Sequence, residues 1–312
     1  MSRKSSRIVL ASGVVLAAAA LTATGLSASA SASPAPAAAK AAAPVVNTAA
    51  PAHKGHGKKG KSQTVTIYLT RHGQTILNTL ERVQGWTDSP LVIGTNPDGS
   101  KLYAPDLPLT VGKNLRAREG KFDAAYSADM KRHYETAGFV LKGAKQRLAI
   151  KQDARLREIN FGKYEGAENK EMWSAIVENM GYTVDHDAAP GTPGHWQQVQ
   201  AQAIADHGME ALMVSMKEIG EQATETGVKI PAEDCSEVSK RMMQSLNSIA
   251  KNAVKNHDKR VLVLSSGLSI TCAINSLGTT VQGPISNLAV SKLEYSKGTW
   301  TVKSVGDTSY RQ

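Results

Sequence analysis

Acidic residues are absent from the first 62 positions of this 312-residue chain, where eight Lys and Arg residues occur. The whole chain has 37 Lys and Arg against 27 Asp and Glu, so residues 63–312 keep 29 bases, 27 acids and a net charge of +2. The pI near 9.5 therefore reflects the amino-terminal segment and not the basic folded face that a nucleic-acid-binding domain needs. We expect no nucleic-acid partner.

The chain begins without an apolar run long enough to span a bilayer, which takes about 20 residues. Its first apolar run, from residue 8 to about residue 21, follows three basic residues and precedes small-residue sites at 28–30 and 30–32. This arrangement is typical of a secretory signal peptide, predicted as residues 1–32, and the short run disfavours the alternative of a retained anchor. We therefore expect a secreted or cell-envelope-associated protein.

Residues 33–62 offer almost nothing to bury, being rich in Ala and Pro and then in Gly, Lys and His. This composition predicts a disordered tether, whose positive charge would permit weak contact with an anionic cell envelope. A merely solvated run is the alternative. Residues 55–62 match the P-loop pattern in letters only, because they lead into a strand and not a helix.

Cysteine is scarce, since Cys235 and Cys272 are the only two. Export would permit a disulfide between them. Cys235 precedes a predicted helix, and Cys272 lies in the apolar segment after a predicted strand. The sequence favours two separate thiols, one of them buried, with a disulfide as the alternative.

Residues 63–312 are numerous enough for one domain with a sizeable core. Strand-like runs at 64–70, 124–127 and 260–265 alternate with helical patterns, which predicts an α/β fold with a mostly parallel sheet flanked by helices. A terminal hairpin is predicted from residue 288 onward. Residues 166–258 predict a long helical region, broken by Pro and Gly at 189–194.

Arg71-His72-Gly73 follows the first of these strands, at the edge where α/β sheets usually place their chemistry. A guanidinium offers a fork of donors to phosphate oxygens, and a neutral imidazole offers a lone pair that can attack phosphorus. A lone histidine at a strand end is more often structural, but beside Arg71 it indicates phosphoryl transfer through a phosphohistidine.

Further segments share one order with a known family. They are residues 71–75 with Asn78, Gln84-Gly85-Trp86 continuing to residue 91, residues 127–132 with Thr136-Ala137, Leu156-Arg157-Glu158 with Phe161-Gly162, and residues 261–310 with Asn287. In these segments the chain resembles the phosphoglycerate-mutase-like histidine phosphatase superfamily. The resemblance covers most of residues 63–312 and implies a phosphoglycerate-mutase-like three-layer sandwich with a helical cap insertion.

The resemblance also implies a role for each matching side chain. It makes His72 the nucleophile, Arg71 and Arg132 the phosphate clamp, Glu158 the proton donor to the leaving oxygen, and Asn78 and Gln84 supporting polar contacts. Two guanidiniums offset the charge of a phosphomonoester, so we expect neither a metal nor another cofactor.

One position departs from the family pattern, because the chain has Ser265-Ser266-Gly267 where the family has Ser-His-Gly. Ser266 can donate one neutral hydrogen bond but carries no charge, which predicts a loss of about 10²- to 10³-fold in rate. His257 is expected at the far end of the strand, and His133, one helical step from Arg132, is expected to point elsewhere. Ser266→His should raise turnover, unless the surroundings have closed around the serine.

Two insertions are expected to shape substrate choice. Residues 92–108 carry a strong turn at 96–99 and are expected to enlarge the rim near Trp86. The cap offers several candidates for facing the substrate, although any one of them is more often structural: Trp173, Tyr182, His186, His195 and Trp196.

The leading functional prediction is an exported, metal-independent phosphomonoester hydrolase whose partner is a small phosphorylated substrate. The alternative prompted by Ser266 is a weakened or inactive phosphate-binding pseudoenzyme of the same fold. A phosphoglycerate mutase is disfavoured, because its cofactor and substrate are cytosolic and the two-histidine site is incomplete here. The sequence leaves the substrate and the oligomeric state open.

Overall fold

The structure is a computed structural model that describes residues 63–96 and 98–312. The predicted signal peptide (1–32) and tether (33–62) lie outside these residues. The strands are β1 (Val65–Arg71), β2 (Ile93–Thr95), β3 (Lys101–Tyr103), β4 (Ala124–Ser127), β5 (Ile150–Gln152), β6 (Arg260–Ser265), β7 (Val290–Ser296) and β8 (Thr299–Asp307). The α-helices are α1 (Ile76–Thr79), α2 (Asp106–Glu119), α3 (Lys131–Gly143), α4 (Asn169–Asn179), α5 (Trp196–Gly220), α6 (Cys235–Asn256) and α7 (Gly267–Asn275).

Six strands form one sheet in the order β5-β4-β6-β1-β7-β8. The first four run parallel to one another, whereas β7 is antiparallel to both β1 and β8. The predicted mostly parallel sheet and terminal hairpin are confirmed. Because β1 and β6 are parallel neighbours in the middle of the sheet, the loops that follow both strands meet at one edge.

The sheet is covered on both faces, which confirms the predicted three-layer sandwich. Along β1, Ile67 and Leu69 belong to a core shared with α4, α5, α6 and α7, while Tyr68 belongs to a second core shared with α2 and α3. This division follows from the two-residue period of a strand, which points successive side chains to opposite faces.

Helix α6 illustrates how local sequence and packing agree. Asp234 and Glu237 form a capping box at its amino end, in which each side chain accepts from the other's backbone N–H. Its buried stripe contains the residues predicted from helical spacing: Val238, Met242, Leu246, Ile249, Ala250 and Ala253.

The helical cap consists of α4 and α5, joined through the predicted Pro/Gly-rich break. Of the aromatic and histidine candidates on this cap, only Trp173 lines the pocket that contains His72. The other four make local contacts. Tyr182 donates to Asp206, the His186 ring bonds to Glu178, His195 accepts from the Gln197 N–H at the start of α5, and the Trp196 ring lies beside the His195 ring. The second insertion, which contains β2 and β3, lines a separate cavity of about 530 Å³ with Gln74 and Asn287.

Cys235 and Cys272 form a disulfide, so the expectation of two separate thiols is wrong. Cys235 is the first residue of α6 and Cys272 lies in α7, and the packing of these helices brings their Cα atoms to 5.2 Å. Sequence spacing alone does not reveal such a contact between two helices. The bond closes a loop across a sequence separation of 37 residues.

Removing this bond should destabilise the domain. For a loop of this length, we expect Cys235→Ala/Cys272→Ala to lower the free energy of unfolding by about 4 kcal/mol, because the unfolded chain regains the entropy that the crosslink removes. Urea unfolding of the double variant and of the oxidised wild-type protein measures the difference. Equal midpoints and slopes would show that the bond does not form in solution.

Candidate active site

The central strand ends bring the site together. The parallel register pairs Arg71 with Ser265, so His72 and Ser266 leave the sheet side by side. The His72 N–H donates to the Ser265 carbonyl at 3.0 Å, which continues the ladder one residue beyond the strand. Asn287, from the segment before β7, donates to the carbonyls of His72 and Gly73 at 3.0 and 3.3 Å.

The His72 ring is 2% exposed and held in one orientation. Its Nδ1 lies 2.7 Å from the Gly73 carbonyl oxygen. A carbonyl can only accept, so Nδ1 must carry the proton of the neutral ring. The lone pair therefore sits on Nε2, which is the nitrogen available to attack an electrophile.

The surroundings keep this ring neutral. Burial, together with the charges of Arg132 and Arg71, holds the pKa of His72 well below its usual value of 6.5, and the bond to Gly73 only partly opposes this. A neutral imidazole at physiological pH is what a nitrogen nucleophile requires.

The pocket beside His72 is small, with a volume of about 160 Å³. It is lined by Arg71, His72, Asn78, Arg82, Val83, Gln84, Glu158, Phe161, Asn169, Met172, Trp173, Leu268 and Pro284. Five of the sequence-predicted site residues thus meet here. Arg82 was not predicted, because no neighbouring motif distinguishes it from an ordinary surface arginine.

Arg71 and Arg132 are placed differently. Arg71 lines the pocket and donates Nη1 to the Ile285 carbonyl at 2.7 Å, while its buried Nε has no partner in the described part of the chain. Arg132 is fully buried, and its Nη atoms donate to the carbonyls of Gly85 and Thr87 and to Asp88. Its charge acts on His72, whereas the direct phosphate contact implied by resemblance stays a prediction.

Glu158 is 7% exposed and presents its carboxylate at the start of α7. Oε1 accepts from the backbone N–H and the hydroxyl of Ser269 and from the Ile159 N–H, and Oε2 accepts from the Leu268 N–H. The first backbone N–H groups of a helix lack partners within the helix, and the Glu158 side chain satisfies two of them in α7. These bonds hold the carboxyl group at the pocket wall. Of the described residues, Glu158 is the only acidic one that lines this pocket.

Asn78 and Gln84 support the pocket through the loop after β1. The Asn78 side-chain oxygen accepts from the Thr75 N–H within the capping box of α1, and Gln84 accepts from the Thr75 hydroxyl at 2.6 Å. The following loop is anchored by Glu165, whose carboxylate accepts from the backbone N–H groups of residues 85–87. Gly85 is required there, because a Cβ would come within 2.1 Å of the Ile159 carbonyl oxygen.

The expectation that His133 points away from the site is wrong. His133 is fully buried, its Nε2 lies 2.7 Å from the Ser266 hydroxyl, and its ring meets the His72 ring edge-on with 5.2 Å between centroids. Helix α3 is buried along two sides at its start, so Arg132 and His133 both face inward. The sequence did contain a signal, since residues 133, 136, 137, 140 and 141 form one buried helical stripe.

The two buried histidines should make the fold sensitive to mild acid. Burial and Arg132 lower the pKa of both His72 and His133 below 6.5, so below that pH the unfolded chain binds protons that the folded chain does not. Stability then falls as pH falls, with a limiting slope of about 2.7 kcal/mol per pH unit for two such groups. Urea unfolding between pH 7.5 and 5.5 measures the slope, and His133→Gln should reduce it by half. An identical slope in that variant would contradict the assignment.

The sheet order, the strand-end Arg-His-Gly and the helical cap together define a phosphoglycerate-mutase-like fold. The sequence model of the histidine phosphatase superfamily (branch 1) matches residues 67–213 and 192–308. The chain belongs to this superfamily, which supports a phosphatase-type enzyme.

Individual relatives are similar over most of their length. The chain is 25% identical over 256 residues to a probable phosphoglycerate mutase, GpmB, from Yersinia pestis, covering 78% of this chain and 94% of that protein. The crystal structure of phosphoglycerate mutase from Bacillus anthracis aligns with a TM-score of 0.65 and 34% identity, covering 80% of this chain and 96% of the other. YhfR from Bacillus stearothermophilus aligns with a TM-score of 0.52 and 25% identity, covering 80% and 100%.

Proposed function

We propose that this protein is an exported, metal-independent phosphomonoester hydrolase that works through a phosphohistidine at His72. The observation that carries the proposal is the orientation of the His72 ring: the bond from Nδ1 to Gly73 leaves the Nε2 lone pair free, in a small pocket that Arg71 also lines. A positioned lone pair and a neighbouring guanidinium suit attack on a phosphoryl group.

The reaction would proceed in two displacements. His72 Nε2 bonds to phosphorus while the ester P–O bond breaks, and the carboxyl group of Glu158 gives its proton to the leaving oxygen. Water then attacks phosphorus, transfers a proton to the Glu158 carboxylate and breaks the P–N bond, releasing phosphate. Arg71 offsets the charge on the phosphoryl oxygens, with Arg132 acting from behind the site.

The mutase names of the relatives do not transfer readily to this chain. Position 266 holds a serine, so the site lacks the second histidine that the family pattern provides. A protein of the same fold that binds phosphate with little turnover is the second candidate, favoured by Ser266 and by the engagement of Arg132 with Gly85, Thr87 and Asp88.

Export rests on two features of the chain. Residues 1–32 have the pattern of a cleaved signal, and a disulfide such as Cys235–Cys272 persists in oxidising compartments. The described residues 63–96 and 98–312 include no helix that is long and apolar enough to cross a membrane. The amino terminus of the protein recovered from the culture medium or envelope fraction tests export: it should lie near Ser31 or Ser33, and an intact Met1 would contradict it.

Hydrolysis in a chelator tests the chemistry. We expect the secreted chain to release phosphate from an aryl phosphate at the same rate with and without EDTA, because guanidiniums supply the positive charge. Among residues 63–96 and 98–312, no three His, Cys, Asp or Glu side chains cluster as metal ligands. Loss of turnover in EDTA with recovery on adding a divalent metal would refute the metal-independent mechanism, and phosphate binding without turnover would favour the second candidate.

A further inference from the structure

The hydroxyl of Ser266 is unusually placed for a serine that begins a helix. Ser266 is the N-cap of α7, a position where a serine side chain ordinarily accepts from the N–H two or three residues on. Here it makes no such bond, because the N–H groups of Leu268 and Ser269 are already bound to Glu158. The only described hydrogen-bond partner of the Ser266 hydroxyl is His133 Nε2.

The pair His133–Ser266 holds one more hydrogen than its internal bond uses. A neutral imidazole carries one N–H and a serine one O–H, and only one of these hydrogens can lie between Nε2 and Oγ. His133 is neutral, since burial and the charge of Arg132 lower its pKa well below 6.5. Its Nδ1 is buried without a partner among the described residues. One donor of the pair is therefore left over, beside the His72 ring.

Two arrangements of these hydrogens are available, and they differ in where the spare donor lies. If Ser266 donates to Nε2, the spare hydrogen is an N–H on His133 Nδ1, enclosed in the protein without an acceptor. If Nε2–H donates to Oγ, the spare hydrogen is the Ser266 hydroxyl, and Nδ1 keeps only an unpaired lone pair. Each arrangement leaves one buried donor without an acceptor among the described residues: the Nδ1–H of His133 in the first, the Ser266 hydroxyl in the second. Only in the second does that donor belong to the residue next to the strand end that carries His72, where a bound phosphoryl group would supply the missing acceptor.

The position of Ser266 gives this spare hydroxyl a use. Arg71 and Ser265 are paired across neighbouring strands, and His72 and Ser266 directly follow them. The backbones of His72 and Ser266 therefore lie about 5 Å apart. The oxygens of a phosphoryl group on His72 Nε2 would be strong acceptors, and the hydroxyl lacks an acceptor among the described residues. A hydroxyl that already accepts from an imidazole is also polarised to donate more strongly.

We propose that His133 is a positioning residue of the active site: its Nε2–H donates to Ser266 Oγ and thereby aims the Ser266 hydroxyl at the phosphoryl group carried by His72. The inference rests on the proposed function and assigns to two residues, on different helices, the donor that the family pattern places on one histidine. No bond to phosphorus involves His133.

Two substitutions at position 133 separate positioning from packing. His133→Gln keeps an N–H near the place of Nε2, whereas His133→Leu fills similar volume without a donor. With secreted protein and an aryl phosphate, we expect His133→Leu to lower kcat about 10-fold with little change in KM, and His133→Gln to stay within about 3-fold of wild type. Equal losses in the two variants, both shown to fold, would assign His133 a packing role only.

The same two substitutions in a Ser266→Ala background test whether His133 acts through the hydroxyl. There, His133→Leu and His133→Gln should have equal kcat, because the group that they orient is gone. An undiminished difference between them would overturn the route through Ser266.

Nitrogen NMR of the histidine rings gives a readout that does not depend on turnover. With inorganic phosphate bound, His133 should be the neutral tautomer protonated on Nε2, and a proton on Nδ1 would overturn the inference. This distinguishes the two proposals: an inactive wild type with the expected tautomer and phosphate affinity refutes hydrolysis but retains the positioning role. A wild type that neither turns over nor binds phosphate refutes both.

Discussion

His72→Asn is expected to abolish hydrolysis, lowering turnover of an aryl phosphate by roughly 10⁵- to 10⁶-fold, the scale of loss seen when a hydrolase loses its nucleophile. The substitution is chosen because the Asn amide can still donate to the Gly73 carbonyl, as His72 Nδ1 does at 2.7 Å. It removes Nε2 and leaves the loop bond in place. A loss of turnover in this variant can therefore be attributed to the missing nucleophile and not to a disrupted loop.

The covalent intermediate provides the direct measurement. Wild-type protein quenched during turnover of a ³²P-labelled phosphomonoester should carry acid-labile, base-stable phosphate, and His72→Asn should carry none. His257→Gln is the matched control, because His257 caps the far end of α6. Labelling that persists in His72→Asn would place the phosphoryl group on another residue.

The second large effect is expected from moving the imidazole from position 133 to position 266. Ser266 is fully buried and its hydroxyl lies 2.7 Å from His133 Nε2, so an added imidazole has no room. Of the two outcomes that the sequence left open for Ser266→His alone, we therefore expect destabilisation of the fold, by about 1–3 kcal/mol as overpacking usually does. His133→Ala vacates a buried imidazole next to position 266.

The double variant His133→Ala/Ser266→His should consequently fold as stably as wild type within about 1 kcal/mol. It places one imidazole beside His72 in the position of the family pattern, and turnover should rise by up to about 10², the value of one preorganised donor. Chemical unfolding and aryl phosphate turnover of all four combinations measure both effects. A stable double variant without any gain would mean that the native pair already supplies the full donor strength.

Much of the site was predictable because it depends on residues that are close in sequence. His72, Asn78 and Gln84 belong to one continuous segment that follows β1. The end of β1 determines where this segment leaves the sheet. Likewise, the buried stripe of α6 follows from helical period alone.

The sequence by itself determined the family and the α/β sandwich, because local motifs and hydrophobic periods encode them directly, and it singled out His72 as the expected nucleophile. Only the tertiary structure decided that Cys235 meets Cys272, that Arg132 faces backbone carbonyls, and that His133 bonds to Ser266. Each of these contacts joins segments far apart in the chain, such as α3 and the start of α7. Their geometry depends on how whole elements pack. The position of His133 one residue after Arg132 does not show which way its side chain points, because α3 is buried on two sides.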